Sequence, residues 1–330
     1  MFNRSPFIIG EVASAHNGNY KLAKKIANSA LKSGADAVKF QIFNCEKLIS
    51  SKNPLYKKFK KLEISKSEWF EVLKSFRKNT FLIAEIFDEE SLLFAKSLNV
   101  FKAYKLPSTC LNDKRMLEIL IKLRKPVILA AGGSKIEEIR FAFNKLNKKL
   151  PSLVIMAGFQ NFPTKIKDSK LNQIALIKNS FNTKVGYADH VDAEERLFSF
   201  SIPLMAYTLG ADVIEKHITL DRSKKGTDYY SSLNPKEFKN FVNFIKSSAK
   251  AFSKDNWNLS KAEIKYRGFN KKFAVSNFSL KKDNKINFRN VSFKRTNRIG
   301  ITMDEFKKYI GKKLKKNKSF DEMLRKKDLK

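Results

Sequence analysis

The chain has 330 residues, of which 42% are hydrophobic, and its 67 Lys and Arg outnumber 32 Asp and Glu to give a formal net charge of +35. A chain of this length and hydrophobic content can bury a large core, which predicts one large domain and a small one. The basic residues are spread along the whole chain and do not form the block-like tail that is typical of nucleic-acid binding, so we expect no nucleic-acid partner.

The cysteine content and the hydropathy pattern indicate a cytoplasmic protein. Cys45 and Cys110 are too few for a disulfide framework and lack the C-x-x-C spacing, which fits a reducing compartment. No N-terminal signal pattern is present, and the most apolar long stretch, residues 197–211, is interrupted by serines and Pro203 and is too short to span a bilayer. We therefore expect a soluble, cytoplasmic chain without a membrane partner.

In chain order, eight short β-rich runs alternate with helical segments. The first connection shows the pattern clearly, because Asn19 can cap a helix and Gly34 can end it before the next run. Eight such units predict an α/β protein with a (β/α)8 TIM barrel. The predicted strands are residues 7–12, 37–41, 81–86, 102–106, 126–130, 153–157, 184–188 and 212–215.

The alternation stops near residue 255. We therefore assign residues 1–255 to the barrel, 256–270 to a polar linker and 271–330 to a small α+β domain. The small domain contains strand-like pieces at 273–278 and 290–293 and a predicted helix at 303–309. It has few apolar residues, so we expect it to pack against the barrel or against a second subunit for stability.

Three histidines, His16, His190 and His217, each stand just past the polar end of a predicted strand. The carboxyl ends of parallel strands are where α/β enzymes assemble their chemistry. One histidine at such a place is most often structural, but three at equivalent positions favour a functional site. His190 and His217, on neighbouring strands, are able to share one divalent metal ion that keeps open positions for substrate.

Charged and polar residues close several of the same strands and are expected to face one mouth of the barrel. An inward-pointing Lys39 or Lys105 needs an anionic ligand or a carboxylate partner such as Glu11 or Glu215, and the sequence leaves both possibilities open. The strand-end residues are Glu11, Lys39, Gln41, Lys105, Ser108, Glu215 and His217.

These residues belong to stretches that resemble the N-acetylneuraminate (sialic acid) synthase family, which includes legionaminate and pseudaminate synthases. The small domain resembles the C-terminal antifreeze-like (SAF) domain of that family, with a β-clip fold, and has KRTNRIG (294–300) where the family has K-R-P-G-x-G. The matching barrel stretches are FIIGEVASAHNG (7–18), GADAVKFQ (34–41), GYADH (186–190), GADVIEKHITLDRSKKGTD (210–228) and SLNP (232–235).

The resemblance implies a transferase that condenses phosphoenolpyruvate with an N-acetylated aldose such as N-acetylmannosamine, giving a nine-carbon 2-keto acid and phosphate. It also implies a divalent metal ion, Mn²⁺ in the first place and otherwise Mg²⁺, Co²⁺ or Zn²⁺, held by His190 and His217. A homodimer is implied as well, in which the SAF domain contacts the barrel of the other subunit.

The resemblance further implies a role for each matching residue. The residues that match catalytic positions are Glu11, His190, His217 and Glu215. Those that match phosphoenolpyruvate-binding positions are Lys39, Lys105, Ser108 and Gln160, and those that match sugar-binding positions are Gln41, Asp228 and Arg295.

The chain also departs from the family pattern. AEIF (84–87), AAG (130–132) and ADH (188–190) replace S-T-P-F, S-T-G and S-D-H, so Ala130 and Ala188 lack hydroxyl groups and Glu85 brings a carboxylate to a phosphate contact. In GFQNFPT (158–164), Phe162 stands where the family has a tyrosine, and Thr296 and Asn297 replace the proline and glycine of the SAF turn. Three interpretations remain open: a divergent synthase, a metal-dependent aldolase or lyase acting on another 2-oxo acid, and a non-catalytic carbohydrate-binding protein that keeps the scaffold.

Overall fold

A computed structural model describes residues 6–161, 163–252 and 257–330. The chain divides into two units, with the boundary between residues 253 and 254. In the first unit, eight parallel strands pair in sequence order, and the eighth closes the ring against the first. The predicted (β/α)8 barrel is confirmed. Its strands are β1 (Phe7–Glu11), β2 (Ala37–Ile42), β3 (Leu82–Ile86), β4 (Ala103–Leu106), β5 (Val127–Ala130), β6 (Leu153–Ala157), β7 (Lys184–Asp189) and β8 (Val213–His217).

Among the described residues of this unit there are ten α-helices, three of them between β2 and β3. The predicted cap is confirmed, since the Asn19 side chain accepts a hydrogen bond from the backbone N–H of Leu22 at the start of the first helix. No helix within the described ranges is both long and apolar enough to cross a membrane. The helices are α1 (Tyr20–Lys32), α2 (Cys45–Leu48), α3 (Tyr56–Leu62), α4 (Lys66–Leu73), α5 (Glu89–Leu98), α6 (Lys114–Leu123), α7 (Ile136–Leu146), α8 (Asn172–Phe181), α9 (Arg196–Thr208) and α10 (Pro235–Ala249).

The barrel interior is mainly apolar, and it becomes charged towards the carboxyl ends of the strands. Successive side chains of a strand point to opposite faces, so every second residue of each strand faces the barrel axis. In five strands, the residue two positions after an apolar interior residue is charged and lies towards the carboxyl end of the strand. These residues are Glu11, Lys39, Glu85, Lys105 and Glu215. The apolar interior cluster is Phe7, Ile9, Ala37, Ile83, Ala103, Ile128, Val154, Met156, Ala188 and Val213.

The second unit has a small core of its own. Its antiparallel strands, β9 (Lys272–Ser276) and β10 (Val291–Arg295), overlap the two predicted strand-like pieces. The predicted linker contains helix α11 (Lys261–Asn270), and the predicted final helix is α12 (Met303–Phe306), followed by a 3-10 turn to Tyr309. The assignment to an SAF domain stays a prediction. The core residues are Ala274, Leu280, Ile286, Val291, Ile301, Phe306, Leu314, Leu324 and Leu329.

A buried ion pair lies in the second unit. Lys318 Nζ is 2.9 Å from Asp328 Oδ2, and both residues are only 4% exposed. Burial opposes the ionisation of Asp328, but hydrogen bonds from Lys318 and from the backbone N–H of Arg325 outweigh it and lower the pKa of this carboxyl. The pair therefore ties the last residues of the chain to the rest of the second unit.

We predict that Asp328→Asn destabilises the second unit by at least about 2 kcal/mol at neutral pH, since it leaves the buried Lys318 with less compensation. A carboxyl whose folded pKa is lowered stabilises the fold above its unfolded pKa, and that stabilisation is lost as the pH falls through the folded value. The difference between wild type and variant should therefore shrink below about pH 4. Amide hydrogen exchange in β9 and β10 measures this difference in stability. Asp283→Asn, which removes an exposed partner of Lys330, is the control, and equal losses in the two variants would contradict the prediction.

Candidate active site

The five charged residues above the apolar interior form one continuous network. Lys39 Nζ lies 3.1 Å from Glu11 Oε2 and 2.9 Å from Glu215 Oε1, and it contacts Glu85 Oε2 most closely. Lys105 Nζ lies 2.8 Å from Glu215 Oε1 and 3.6 Å from Glu85 Oε1. None of the five residues is more than 2% exposed. The sequence left open whether the lysines face carboxylates or a ligand, and the structure gives both lysines carboxylate partners.

The charges of this network are nearly balanced. Burial raises the pKa of Glu11 to about 8, with Lys39 opposing the shift and Glu215 and Glu85 adding to it. Burial works the same way on Glu215, but Lys105 and Lys39 outweigh it and hold the pKa of Glu215 below its ordinary value. Burial would lower the pKa of Lys39, yet its carboxylate neighbours raise it well above the usual range. At neutral pH Glu11 is therefore protonated and Glu215 ionised, and Lys39 stays an ammonium ion and not a nucleophile.

A cavity of about 320 Å³ opens at the carboxyl ends of the strands. Ser14, Thr227 and Glu85 line it together with most of the predicted site residues. The predicted residues in the lining are Gln41, Lys105, Gln160, His190, Glu215, His217 and Asp228.

The other four predicted site residues lie elsewhere. Glu11 and Lys39 are fully buried members of the charged network, outside the residues that line the cavity. Ser108 is half-buried in a 3-10 turn, residues 108–110, that follows β4. Arg295 is the exposed last residue of β10 in the second unit.

His190 and His217 line the cavity side by side, with ring centroids 5.1 Å apart. His190 Nδ1 lies 2.9 Å from the carbonyl oxygen of Phe159. Because a carbonyl only accepts, this contact places the ring proton on Nδ1 and leaves the lone pair on Nε2. Burial lowers the pKa of His190 to about 3, and burial together with His190 lowers that of His217 well below its usual range. Both rings are therefore neutral, which is the form that binds metal ions.

The two histidines fit a metal ion that takes only part of its coordination shell from the protein. In the part of the chain that the structure describes, no group of three or more His, Cys, Asp or Glu side chains is placed to hold a metal ion. Two neutral imidazoles leave the remaining positions to water or to substrate oxygens, which is the arrangement of an open catalytic site. The presence and identity of the metal ion stay predictions.

His16 differs from the other two histidines. It is 2% exposed, burial lowers its pKa to about 4, and its Nδ1 accepts a hydrogen bond of 3.0 Å from the backbone N–H of Gly18. Gly18 has φ +82°, and a Cβ at this position would lie 2.0 Å from the carbonyl oxygen of Lys61. His16 thus supports a tight turn and does not belong to the cavity lining, although its place after a strand looked equivalent.

Two hydrogen bonds join the loops that follow the first and the last strand of the barrel. The Asp228 carboxylate accepts from the backbone N–H of Ser14 at 3.0 Å, and the Asn17 side chain accepts from that of Thr227 at 2.9 Å. Burial raises the pKa of Asp228. The bonds hold Asp228 against the cavity, where the resemblance predicts a sugar contact.

Sequence reasoning missed another buried ion pair, which lies beside the cavity histidines. Asp189 and Lys216 face each other across β7 and β8, with Nζ and Oδ2 2.5 Å apart and both side chains fully buried. Each residue directly precedes one of the two cavity histidines. The signal was present in the sequence, since an acid and a base stand at matching positions before His190 and His217.

One wall of the cavity is apolar, which the strand-end residues do not indicate. It comes from the segment that follows β2 and from the end of β3, and it forms a hydrophobic cluster separate from the main core. The cluster members in the lining are Phe43, Leu48, Phe59, Leu62 and Phe87, and the exposed Leu55 joins them there.

The departures from the family pattern have different structural settings. Ala130 and Ala188 are buried at the ends of β5 and β7, where neither offers a hydroxyl group to the cavity. Gln160 is exposed and lines the cavity, so an amide is available on the strand 6 side. Phe162 lies outside the described residues.

Comparisons with known proteins agree on one family. A family model described as the NeuB family matches residues 26–256. The N,N'-diacetyllegionaminic acid synthase of Campylobacter jejuni is 31% identical over 98% of this chain and 99% of that protein, and the pseudaminic acid synthase of C. jejuni is 30% identical over 99% and 97%. Among solved structures, the N-acetylneuraminic (sialic) acid synthetase of Leptospira borgpetersenii, crystallised with citrate, has a TM-score of 0.72 at 28% identity, over 80% of this chain and 92% of that one.

We predict that Glu11→Gln makes stability less dependent on pH. An acid whose folded pKa is raised from 4.5 to about 8 contributes stability that is full below the unfolded value and is lost as the pH rises through the folded one. Glutamine does not titrate, so the free energy of unfolding of the variant should rise relative to that of wild type between about pH 5 and pH 8. Urea unfolding at both pH values measures this, with the exposed Glu71→Gln as control. Parallel stability curves for Glu11→Gln and wild type would contradict the assigned pKa.

Proposed function

The chain belongs to the NeuB family, whose named relatives are synthases of nonulosonic acids, and on this premise we propose that it condenses phosphoenolpyruvate with an N-acetylated aldose such as N-acetylmannosamine. The products are a nine-carbon 2-keto acid and inorganic phosphate. The observation that carries the proposal is the cavity in which two neutral histidines stand beside Lys105 and Glu215, at the carboxyl ends of the barrel strands.

The reaction forms one carbon–carbon bond and one carbon–oxygen bond from water, and it breaks the carbon–oxygen bond to phosphate. C3 of phosphoenolpyruvate attacks the aldehyde carbon of the open-chain sugar, and the aldehyde oxygen takes up a proton. Water adds to C2, and the bond between C2 and the phosphate oxygen then breaks to release phosphate. A divalent cation at His190 and His217 would, when bound, supply Lewis-acid polarisation of the sugar aldehyde.

Lys39 and Lys105 are proposed to hold the phosphate and carboxylate of phosphoenolpyruvate, with help from Ser108 and Gln160. Glu215 supports this role indirectly, because its Oε1 lies within 2.9 Å of both ammonium groups and fixes their positions. The two ammonium groups are thereby held close together before the substrate arrives.

Glu11 is proposed to orient the attacking water or a sugar hydroxyl. Its Oε2 faces Lys39 Nζ at 3.1 Å, but the buried Oε1 makes no hydrogen bond with any described residue and remains available to such a partner. Gln41 and Asp228, in the cavity lining, are proposed to contact the sugar. We also propose a homodimer in which Arg295 reaches the acyl group of a sugar bound by the other subunit.

Phosphate release tests the proposal. The purified protein is supplied with Mn²⁺, Mg²⁺ or Co²⁺ and phosphoenolpyruvate, and phosphate is measured against a panel of N-acetylated hexosamines. We expect aldose-dependent release that His217→Ala abolishes. Absence of release with every aldose, from a folded protein that binds the metal ion, would overturn the assignment.

Glu85 favours a second candidate, a metal-dependent aldolase or lyase that acts on another 2-oxo acid. Its carboxylate contacts both lysines at the place where a phosphate would bind, so a donor without phosphate meets less repulsion. Aldose-dependent consumption of pyruvate without phosphate release would favour this candidate.

We predict that Arg295→Ala raises the KM for the sugar by about tenfold and lowers kcat less, because one charged hydrogen bond to bound sugar is lost. Steady-state kinetics with the sugar identified above measures both constants. Arg289→Ala, which removes another exposed arginine of the same unit, is the control. An unchanged KM with full activity would remove Arg295 from the sugar site.

A further inference from the structure

Glu85 is one of the carboxyl residues of the charged network that line the cavity. It is the second-last residue of β3 and pairs with Gln41 on one side and Lys105 on the other. It lines the cavity, is 2% exposed, and its two carboxyl oxygens contact Lys39 and Lys105. The lysines proposed to bind the donor therefore already hold an anion that belongs to the chain.

The network contains one carboxyl group more than it has ammonium groups. Without Glu85, Lys105 would keep Glu215 at 2.8 Å, and Lys39 would keep Glu215 at 2.9 Å and Glu11 at 3.1 Å. Each lysine would still lie within 2.9 Å of Glu215 Oε1, so neither would be left buried without a carboxyl partner. Glu85 is thus not the last carboxyl partner of either lysine.

Resting on the function proposed above, we propose that Glu85 is a specificity-determining residue that competes with the anionic donor for Lys39 and Lys105. An incoming phosphate or carboxylate must displace the Glu85 carboxylate from the two ammonium groups, or bind beside it against like-charge repulsion. Glu85 thereby weakens the binding of highly charged donors and leaves the sugar side of the cavity unaffected.

Direct binding tests this competition without turnover. Isothermal titration of the full-length wild type and of Glu85→Gln with phosphoenolpyruvate, and separately with inorganic phosphate, gives the dissociation constants. We expect Glu85→Gln to bind phosphoenolpyruvate at least about tenfold more tightly, since one repelling charge a few ångströms away is removed. Glu90→Gln, which removes an exposed carboxylate of the following helix, controls for the overall change in charge and should leave the constant within about twofold.

The KM values separate this role from a structural one. If the protein turns over, Glu85→Gln should lower the KM for phosphoenolpyruvate and leave the KM for the aldose unchanged, whereas a disturbed fold would affect both. Unchanged or weaker donor binding by folded Glu85→Gln would overturn the proposal.

A second variant covers the case in which Glu85→Gln does not fold. Glu85→Asp keeps the charge on a shorter side chain, which loosens its hold on the lysines, and should tighten donor binding by about threefold; unchanged or weaker binding by this variant would also overturn the proposal. Binding does not depend on turnover, so absence of phosphate release from every variant would remove the proposed reaction while the titrations still decide the role of Glu85.

Discussion

The mutual neutralisation of five buried ionisable groups is the constraint on which the site depends. Isolated charges in the interior of a barrel are costly, and removal of one partner from a buried pair leaves the other uncompensated. Lys39 and Lys105 are stabilised there by carboxyl groups that strands β1, β3 and β8 deliver near the same end of the barrel. Strand register, side-chain alternation and electrostatics therefore determine one another, and the apolar layers beneath keep water from weakening the pairs.

Most of the barrel could be predicted from the sequence because each strand is a short apolar run between segments with helical patterning. The positions of the two cavity histidines could also be predicted. All strands of a parallel barrel have their carboxyl ends on the same face, so a residue just after a strand lies on that face. The contacts of Glu85 could not be predicted, because they depend on the register that sets it beside Gln41 and Lys105. His16 shows the opposite limit: its position matched the other histidines, but the turn at Gly18 directs it elsewhere.

The cavity combines rigid and adaptable parts. Asp189 and Lys216 fix the ends of the two strands that carry the histidines, so the separation of the rings is set by a fully buried contact. The apolar wall is built differently, from short helices and loops between β2 and β3 that pack into a separate cluster. Barrel enzymes vary most readily in such connecting segments. The apolar wall can therefore change during evolution without a change in the charged network.

The hydrogen bonds between the first and last loops have a consequence for how the protein is made. Ser14 and Asp228 are separated by 214 positions, and Asn17 and Thr227 by 210, yet each pair meets at the rim of the cavity. Contacts of such long sequence separation form late, because a long stretch of chain must be ordered before they can exist. A nascent chain on the ribosome therefore has the residues of the first loop but no cavity until the eighth strand has emerged and closed the ring.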